Sequence, residues 1–411
     1  MDYSLKVISA EDTFNGAPLL AGLRRLDSWL VDAQCASLDP GDLWISRRGG
    51  RAKSLFLRTR VLGLPALLPF VAIEVLWPGI RRRFAQSRHF PISHAHVGLG
   101  YLNMFEATSE DLYLARATEL VRPLEEMSSP LAKGAGWGMK HEWVTVKGVI
   151  SSDTPCHSQT AYVYEFLARL LEHAGDSNLQ RFLQRIAYHT ANDFPEWWER
   201  DRLVSSYSML DERRIVNANS YRMLILLDAG KRFGSQEFVN KGLGTLRYVL
   251  SMQQTDGSWP YGEQEKFVDT YHTCFVLKNL YKVKDLVGDL RVDVEHSIER
   301  GLRFYFQNLF DPNGYPKPFA VKPRLVLHRY DSYDLAESIG LLALMKIDRE
   351  RLTRLLDFAL SEFQTRAGWF KYRVYPFVPF KGIPYMRYAN SAMFLALTSV
   401  ILAYGIEQRE N

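Results

Sequence analysis

Six short polar clusters recur along this 411-residue chain, each at the start of an apolar stretch. They read PISHAHVGLGYL from Pro91, TPCHSQTAYVYEFL from Thr154, IVNANSYRMLILL from Ile215, FVDTYHTCFVLKNL from Phe267, RYDSYDLAESIGLLAL from Arg329 and RYANSAMFLALTSVI from Arg387. Measured at His94, His157, Asn217, His272, Asp331 and Asn390, they lie 63, 60, 55, 59 and 59 residues apart. Each carries groups able to move a proton or hold a charge. These are His94 and His96; His157 and Gln159; Asn217 and Asn219; Asp269, Tyr271 and His272; Arg329, Asp331, Tyr333 and Asp334; Tyr388 and Asn390. Proton abstraction beside a carboxylate needs a base, an acid and a group that neutralises the developing enolate. His272 suits the base, Tyr271, Tyr330 or Tyr333 the acid, and Asn217, Asn219 and Arg329 the neutralising set. Epimerisation and β-elimination use the same parts, so residue types do not separate them. Hydrolysis needs two opposed carboxyls, for which Asp269 with Asp331, or Glu263 with Glu337, are the candidates. Acids are fewer than Asn, His and Tyr groups in these clusters, which ranks hydrolysis second.

Ordinary structural roles compete with every one of these assignments. Asn217, Asn219, Asp331 and Asn390 are residue types that cap helix N-termini. His94, His96 and His157 also suit buried, hydrogen-bonded positions. Trp137, Trp259 and Trp369 sit in glycine-rich corners, where an indole packs as readily as it stacks on a sugar. His141, Tyr261 and Glu263 occupy the same corners and would face a ligand held at the clusters. Cys156, His157, His272 and Cys274 are zinc ligands by type, and His94, His96, Cys156 and His157 are the better-placed set. The chain has no C-x-x-C or H-E-x-x-H spacing, and the expectation is no metal and no other cofactor.

The elements that would position these groups follow from hydrophobic periodicity. After each apolar stretch comes an amphipathic one, such as SNLQRFLQRIAYHTANDF or VEHSIERGLRFYFQNLF, with apolar residues at i, i+3, i+4 and i+7. Then comes an aromatic and glycine corner: KGAGWGMKHEW, DFPEWWER, TDGSWPYGE, DPNGYPKPF and RAGWFKYRV. No strand pattern of any length is visible. Helices apolar on most sides form an inner ring and amphipathic ones an outer ring, which predicts an all-α (α/α)6 toroid, with an open α/α solenoid as the alternative. Residues 91–411 supply five helix pairs and a last inner helix as one continuous domain. Residues 1–90 supply the completing helix, APLLAGLRRLDSWLVDAQ. The inner helix starts would then gather at one mouth, with their positive dipole ends favouring an anionic ligand.

Gln253, Asp256, Gly257 and Trp259 resemble the Q-x-x-D-G-x-W repeat of squalene and oxidosqualene cyclases, and FVDTYHTCFVLKNL is similar to an inner-helix start of protein prenyltransferase β subunits. Both families are α/α toroids, which implies the fold. The aspartate-rich acid motif of the cyclases is absent here, which disfavours terpenoid cyclisation or prenyl transfer. The whole chain resembles a family of toroid proteins found among bacterial exopolysaccharide genes, similar in repeat plan to the helical domain of heparosan-glucuronyl C5-epimerases. That resemblance implies an acidic, uronate-containing or lipid-linked glycan as substrate. A non-catalytic glycan-binding or scaffold partner of membrane glycosyltransferases is the reading from another class.

A net charge of +5 and a pI near 8.9 favour an anionic partner and are too small for nucleic acid. Three cysteines give no disulfide framework, and the start MDYSLKVISAEDTF has no apolar leader, so a cytoplasmic protein is expected. VLGLPALLPFVAIEVLWPGI, from Val61 to Ile80, is flanked by arginines but interrupted by Pro65, Pro69, Pro78 and Glu74. A helical hairpin, buried or lying on the surface, is expected there. Its arginine flank through Arg83 raises the further expectation of peripheral contact with anionic lipid.

Overall fold

A computed structural model describes residues 14–145, 148–323, 326–376 and 382–407. Helix α1 (Gly16–Asp32) precedes an insert made of α2 (Asp42–Ile45), α3 (Arg47–Arg58) and α4 (Arg60–Leu76). Helix pairs follow: α5 (Pro91–Thr108) with α6 (Asp111–Glu119) and α7 (Val121–Glu126), α8 (His157–Ala174) with α9 (Ser177–Asn192), and α10 (Val216–Phe233) with α11 (Gln236–Ser251). Two more are α12 (Thr270–Val283) with α13 (Arg291–Asn308) and α14 (Ser332–Met345) with α15 (Arg349–Phe358). A π-helical turn, Met386–Asn390, leads into the last helix, α16 (Ser391–Tyr404).

The inner ring runs α5, α8, α10, α12, α14, α16, each helix against the next, and α16 returns to α5. This closed circle is an (α/α)6 toroid. Burial follows the residue pattern. In α5 every residue from Pro91 to Met104 is buried, as a helix enclosed on all sides requires. In α9 the buried apolar residues Leu179, Phe182, Leu183 and Ile186 form one stripe.

Corners tie neighbouring outer helices. The Gln253 amide donates to Gly257 O at 3.0 Å and to Ser297 O of α13 at 2.9 Å, and Trp259 Nε1 donates to Val249 O at 3.1 Å. Gly257 holds φ +93°, a conformation that costs a side-chain-bearing residue. The last corner repeats the device, with Gly368 at φ +94°. Gln364 donates to Gly368 O at 3.0 Å and to Gly22 O of α1 at 2.7 Å. Helix α1 thus occupies, relative to α15, the place that α13 occupies relative to α11.

The strands are short and lie in the corner loops at the mouth. Glu196–Glu199 pairs antiparallel with Arg202–Ser205, Val268–Asp269 with Phe319–Val321, and Tyr330–Asp331 with Arg373–Val374. The first pair is a hairpin within the loop before α10, whereas the other two stitch the loop before one inner helix to the loop before the next. At four residues or fewer, these strands leave no period-2 signature in the sequence.

Candidate active site

Below the mouth the toroid axis is filled. His96 sits edge-on to Tyr162 at 4.4 Å, Tyr162 meets Tyr221 at 5.5 Å, and Tyr221 meets Phe275 at 5.4 Å. Deeper still, Lys278 is paired with Glu337, and Lys282 with Glu165 at 2.6 Å. A ligand therefore meets the inner helices at their N-terminal ends.

At that end Asp269 caps α12, its Oδ1 accepting from His272 N at 3.0 Å. Its Oδ2 accepts from His272 Nδ1 at 2.7 Å, and Asp269 is buried while His272 is half-buried. A carboxylate on Nδ1 fixes that nitrogen as the protonated one and leaves Nε2, on the far side of the ring, with a lone pair. This is the arrangement of a general base and its orienting acid.

Asp331 caps α14 through Tyr333 N at 2.9 Å and accepts from Arg373 Nε at 2.7 Å. Arg373 also reaches Glu74 of α4 at 3.3 Å, and Trp44 Nε1 donates to the other Glu74 oxygen at 3.0 Å. Asp334, one residue beyond Tyr333, is buried with its Oδ1 lacking any partner. Burial pushes the Asp334 carboxyl well above the usual range, and the negative charges of Asp331 and Asp269 push it further. It stands as a protonated acid close to Asp269 and Asp331. Burial raises the Asp331 carboxyl as well, but Arg373, bonded to it, works against that rise more directly than it does for Asp334.

Aromatic rings line the opening. Tyr271 lies 4.1 Å from the His272 ring and 5.3 Å from Tyr333, Tyr333 lies 5.5 Å from Tyr388, and Tyr261 stands 4.6 Å from His272. Burial raises the Tyr271 and Tyr333 phenols well above their usual range, so both keep their protons at neutral pH. On α8 and α10, the buried carboxamides of Gln159 and Asn217 each carry an oxygen with no hydrogen-bond partner. Such orphans call for a ligand or water. A cavity of about 220 Å³ opens beside the cluster, lined by Glu74, Arg373, Tyr372 and Tyr375. A wider groove of about 760 Å³ lies on the outer wall between α11 and α13, away from every inner-helix start, and is lined by side chains such as Arg247 and Arg300.

No family model and no curated protein sequence matches this chain. Solved structures do match. A glycosyl hydrolase family 88 protein from Bacteroides vulgatus superposes with a TM-score of 0.53 at 12% identity, over 76% of this chain and 93% of that one. Cellobiose 2-epimerase from Bacillus thermoamylovorans gives 0.58 at 10% identity, over 75% and 87%. Unsaturated glucuronyl hydrolase from Bacillus sp. GL1 gives 0.51 at 12% identity, over 77% and 88%. The likeness is one of fold.

Several residues singled out in the sequence lie in the framework of the toroid. Asn219 bonds Ser205 N and O and Ile215 O, and Asn390 bonds Phe370 N and Tyr385 O, so both staple a corner strand to an inner helix. Both are fully buried in these framework bonds. His157 stacks on Phe194 at 3.8 Å and meets Ser205 Oγ at 3.1 Å. Trp137 is buried and donates to Leu124 O at 2.8 Å, matching the corner role of Trp259. Trp369 is half-buried in the last corner, where its carbonyl accepts from Thr365 N.

His94 and His96 are buried, and burial pushes them down to about 4 and about 3, so both are neutral. His141 is half-buried and pushed down to about 4, by burial first and then by Arg387. Arg387 itself clamps Asp39 with two bonds at 2.8 and 3.0 Å. Burial works to raise the Asp39 carboxyl, but Arg387 overrides it.

Arg329 is exposed, stacked over Tyr330 and 3.9 Å from Asp311, outside the cluster. Its expected place near Asp331 is taken by Arg373, because the strand Tyr330–Asp331 turns Asp331 toward the partner strand that carries Arg373. Tyr330 donates to Asp311 at 2.6 Å, which removes it as the acid. Glu263 stays at the rim with Arg214 at 3.5 Å, and Glu337 is committed to Lys278 in the filled axis, so these two carboxyls do not oppose one another. Arg373 and Glu74 carried no signal in the sequence beyond their residue types.

Proposed function

We propose that this chain is a carbohydrate-active enzyme that abstracts the C5 proton of a uronate in an acidic glycan, as an epimerase or a lyase. The observation that carries the reading is the Asp269–His272 pair beside a protonated Asp334 in an aromatic-lined mouth. The neighbours in fold, which include epimerases and glycoside hydrolases by their names, support the carbohydrate class. Stacked tyrosines suit the faces of sugar rings, and inner-helix N-termini suit a carboxylate.

In this mechanism His272 Nε2 takes the proton and Asp269 stabilises the imidazolium that forms. Negative charge moves onto the uronate carboxylate as an enediolate. The Asp334 proton and the side-chain NH2 groups of Asn217 and Gln159 donate hydrogen bonds to it, strongest where water is excluded, and their carboxamide oxygens accept from sugar hydroxyls. Tyr271 or Tyr333 then returns a proton to the opposite face of C5, or protonates the leaving oxygen at C4. The first completes epimerisation and the second β-elimination.

Incubation with uronate-containing polymers in deuterated water tests this. Deuterium at C5 without cleavage marks an epimerase, and ultraviolet absorbance from an unsaturated product marks a lyase. New reducing ends with neither signal would mean hydrolysis and overturn proton abstraction. An active preparation unaffected by His272→Ala would do the same.

A further inference from the structure

The insert between α1 and α5 has no role in closing the ring, yet among the described residues it carries a dense group of exposed apolar side chains. Val61, Leu62, Leu64 and Leu68 are 85%, 68%, 53% and 58% exposed, and Trp77 and Phe84 follow at 59% and 51%. Helices α3 and α4 form a tight hairpin, since a Cβ on Gly63 would lie 2.2 Å from the Phe56 backbone. Helix α4 runs through Pro65 and Pro69 without a break. The carbonyls those prolines leave unpaired belong to Val61 and Pro65, which are exposed to solvent.

Charge around this apolar surface has one sign. Arg47, Arg48, Arg51, Arg58, Arg60, Arg82 and Arg83 are all exposed. Glu74 is the one acid between Leu43 and Phe105, and it is turned inward to Trp44 and Arg373. An apolar face ringed by arginines is the chemistry of an anionic bilayer surface, where the apolar side chains enter the acyl boundary and the guanidiniums meet phosphates. At 17 residues α4 is about 26 Å long. That is short of a bilayer core of about 30 Å, and the helix is polar-flanked at both ends, so it lies on the surface.

We infer that the α3–α4 hairpin docks this protein on an anionic lipid bilayer. Glu74 ties the hairpin through Arg373 to Asp331 at the mouth, so docking sets the toroid's opening beside the headgroups. That this orientation serves a lipid-linked glycan rests on the function proposed above, whereas the docking itself does not.

The test is co-sedimentation of the full chain with phosphatidylcholine vesicles, with and without phosphatidylglycerol. Binding is expected only with the anionic lipid, released by high salt, and accompanied by a blue shift that Trp77→Phe diminishes. Leu62→Glu with Leu68→Glu, and separately Arg58→Glu with Arg60→Glu, Arg82→Glu and Arg83→Glu, should each weaken binding about tenfold or more. These positions are exposed, and unchanged circular dichroism melts confirm that the variants fold. Wild-type protein that stays in the supernatant, or variants that bind as well as wild type, overturns the inference. So does a dimer in sedimentation velocity that Leu62→Glu with Leu68→Glu dissociates, since a second copy would then cover the face. None of these three outcomes touches the glycan reading, which is measured without vesicles.

Discussion

Replacing Asp269 by Asn separates the cap of α12 from the orientation of His272. Asn caps a helix about as well as Asp, so its carbonyl oxygen keeps the 3.0 Å bond from His272 N. The amide NH2 then occupies the position of Oδ2, 2.7 Å from His272 Nδ1. An N–H facing Nδ1 forces that nitrogen to accept, which moves the ring proton to Nε2 and removes the base. A wrong tautomer in an intact site costs about a thousandfold to ten-thousandfold in rate, or about 4 to 5.5 kcal/mol. The assay is deuterium incorporation at C5, with the melting temperature measured alongside. Asp269→Asn should melt close to wild type, whereas Asp269→Ala should lose about 1 kcal/mol with the cap. The substitution also removes a negative neighbour that helps to raise Asp334. Asp334 then gives up its proton at lower pH, and the alkaline limb of any residual activity moves down. A variant that folds and keeps more than about a tenth of the wild-type rate refutes the assignment of His272 as base, and an alkaline limb that moves up refutes that of Asp334 as the acid.

Other substitutions probe the surrounding electrostatics and the closure of the ring. Asp334 holds a proton that the unfolded chain releases near the ordinary carboxyl range, so its contribution to stability is present below that range and is lost as pH rises. Asp334→Asn should therefore stabilise the protein at alkaline pH, by an amount that shrinks on acidification, while activity falls; thermal melts across pH read both limits. His94 and His96 behave oppositely, because their folded values of about 4 and about 3 lie below the unfolded value. Stability should fall as pH drops below about 6.5, by up to about 1.4 kcal/mol per pH unit for each imidazole, and His96→Gln should flatten the lower part of that slope. Gln364→Ala removes two bonds from its amide, to Gly22 O and Gly368 O, and one from Arg25 at 2.6 Å. A loss of about 2 to 4 kcal/mol in denaturant unfolding is expected, and a loss below about 1 kcal/mol would mean that α1 is held by other contacts.

The repeat of about sixty residues and its two kinds of helix were legible in the sequence, because local periodicity alone decides whether a helix buries one stripe or all sides. That Asp269 and His272 share one cluster was legible too, but the capping bond that pairs them was not, and the sequence offered Asp269 as a hydrolytic carboxyl opposite Asp331. Ring closure was not legible. It depends on α16 meeting α5, and a small change in the angle between successive pairs would give a solenoid from the same pattern. The roles of polar residues at the mouth were decided in the same non-local way. Asn219 and Asn390 share the residue type of Asn217 at inner-helix starts, yet corner segments arrive beside them and take up their amides, while the Asn217 oxygen has no partner. Arg373 displaced Arg329 because strand pairing, with Asp331 opposite Arg373, outweighs nearness in the chain. Glu74 reaches the same cluster across 299 residues. Side-chain chemistry determined which reactions this chain could serve, and only the three-dimensional arrangement of its corners determined which groups are left to serve them.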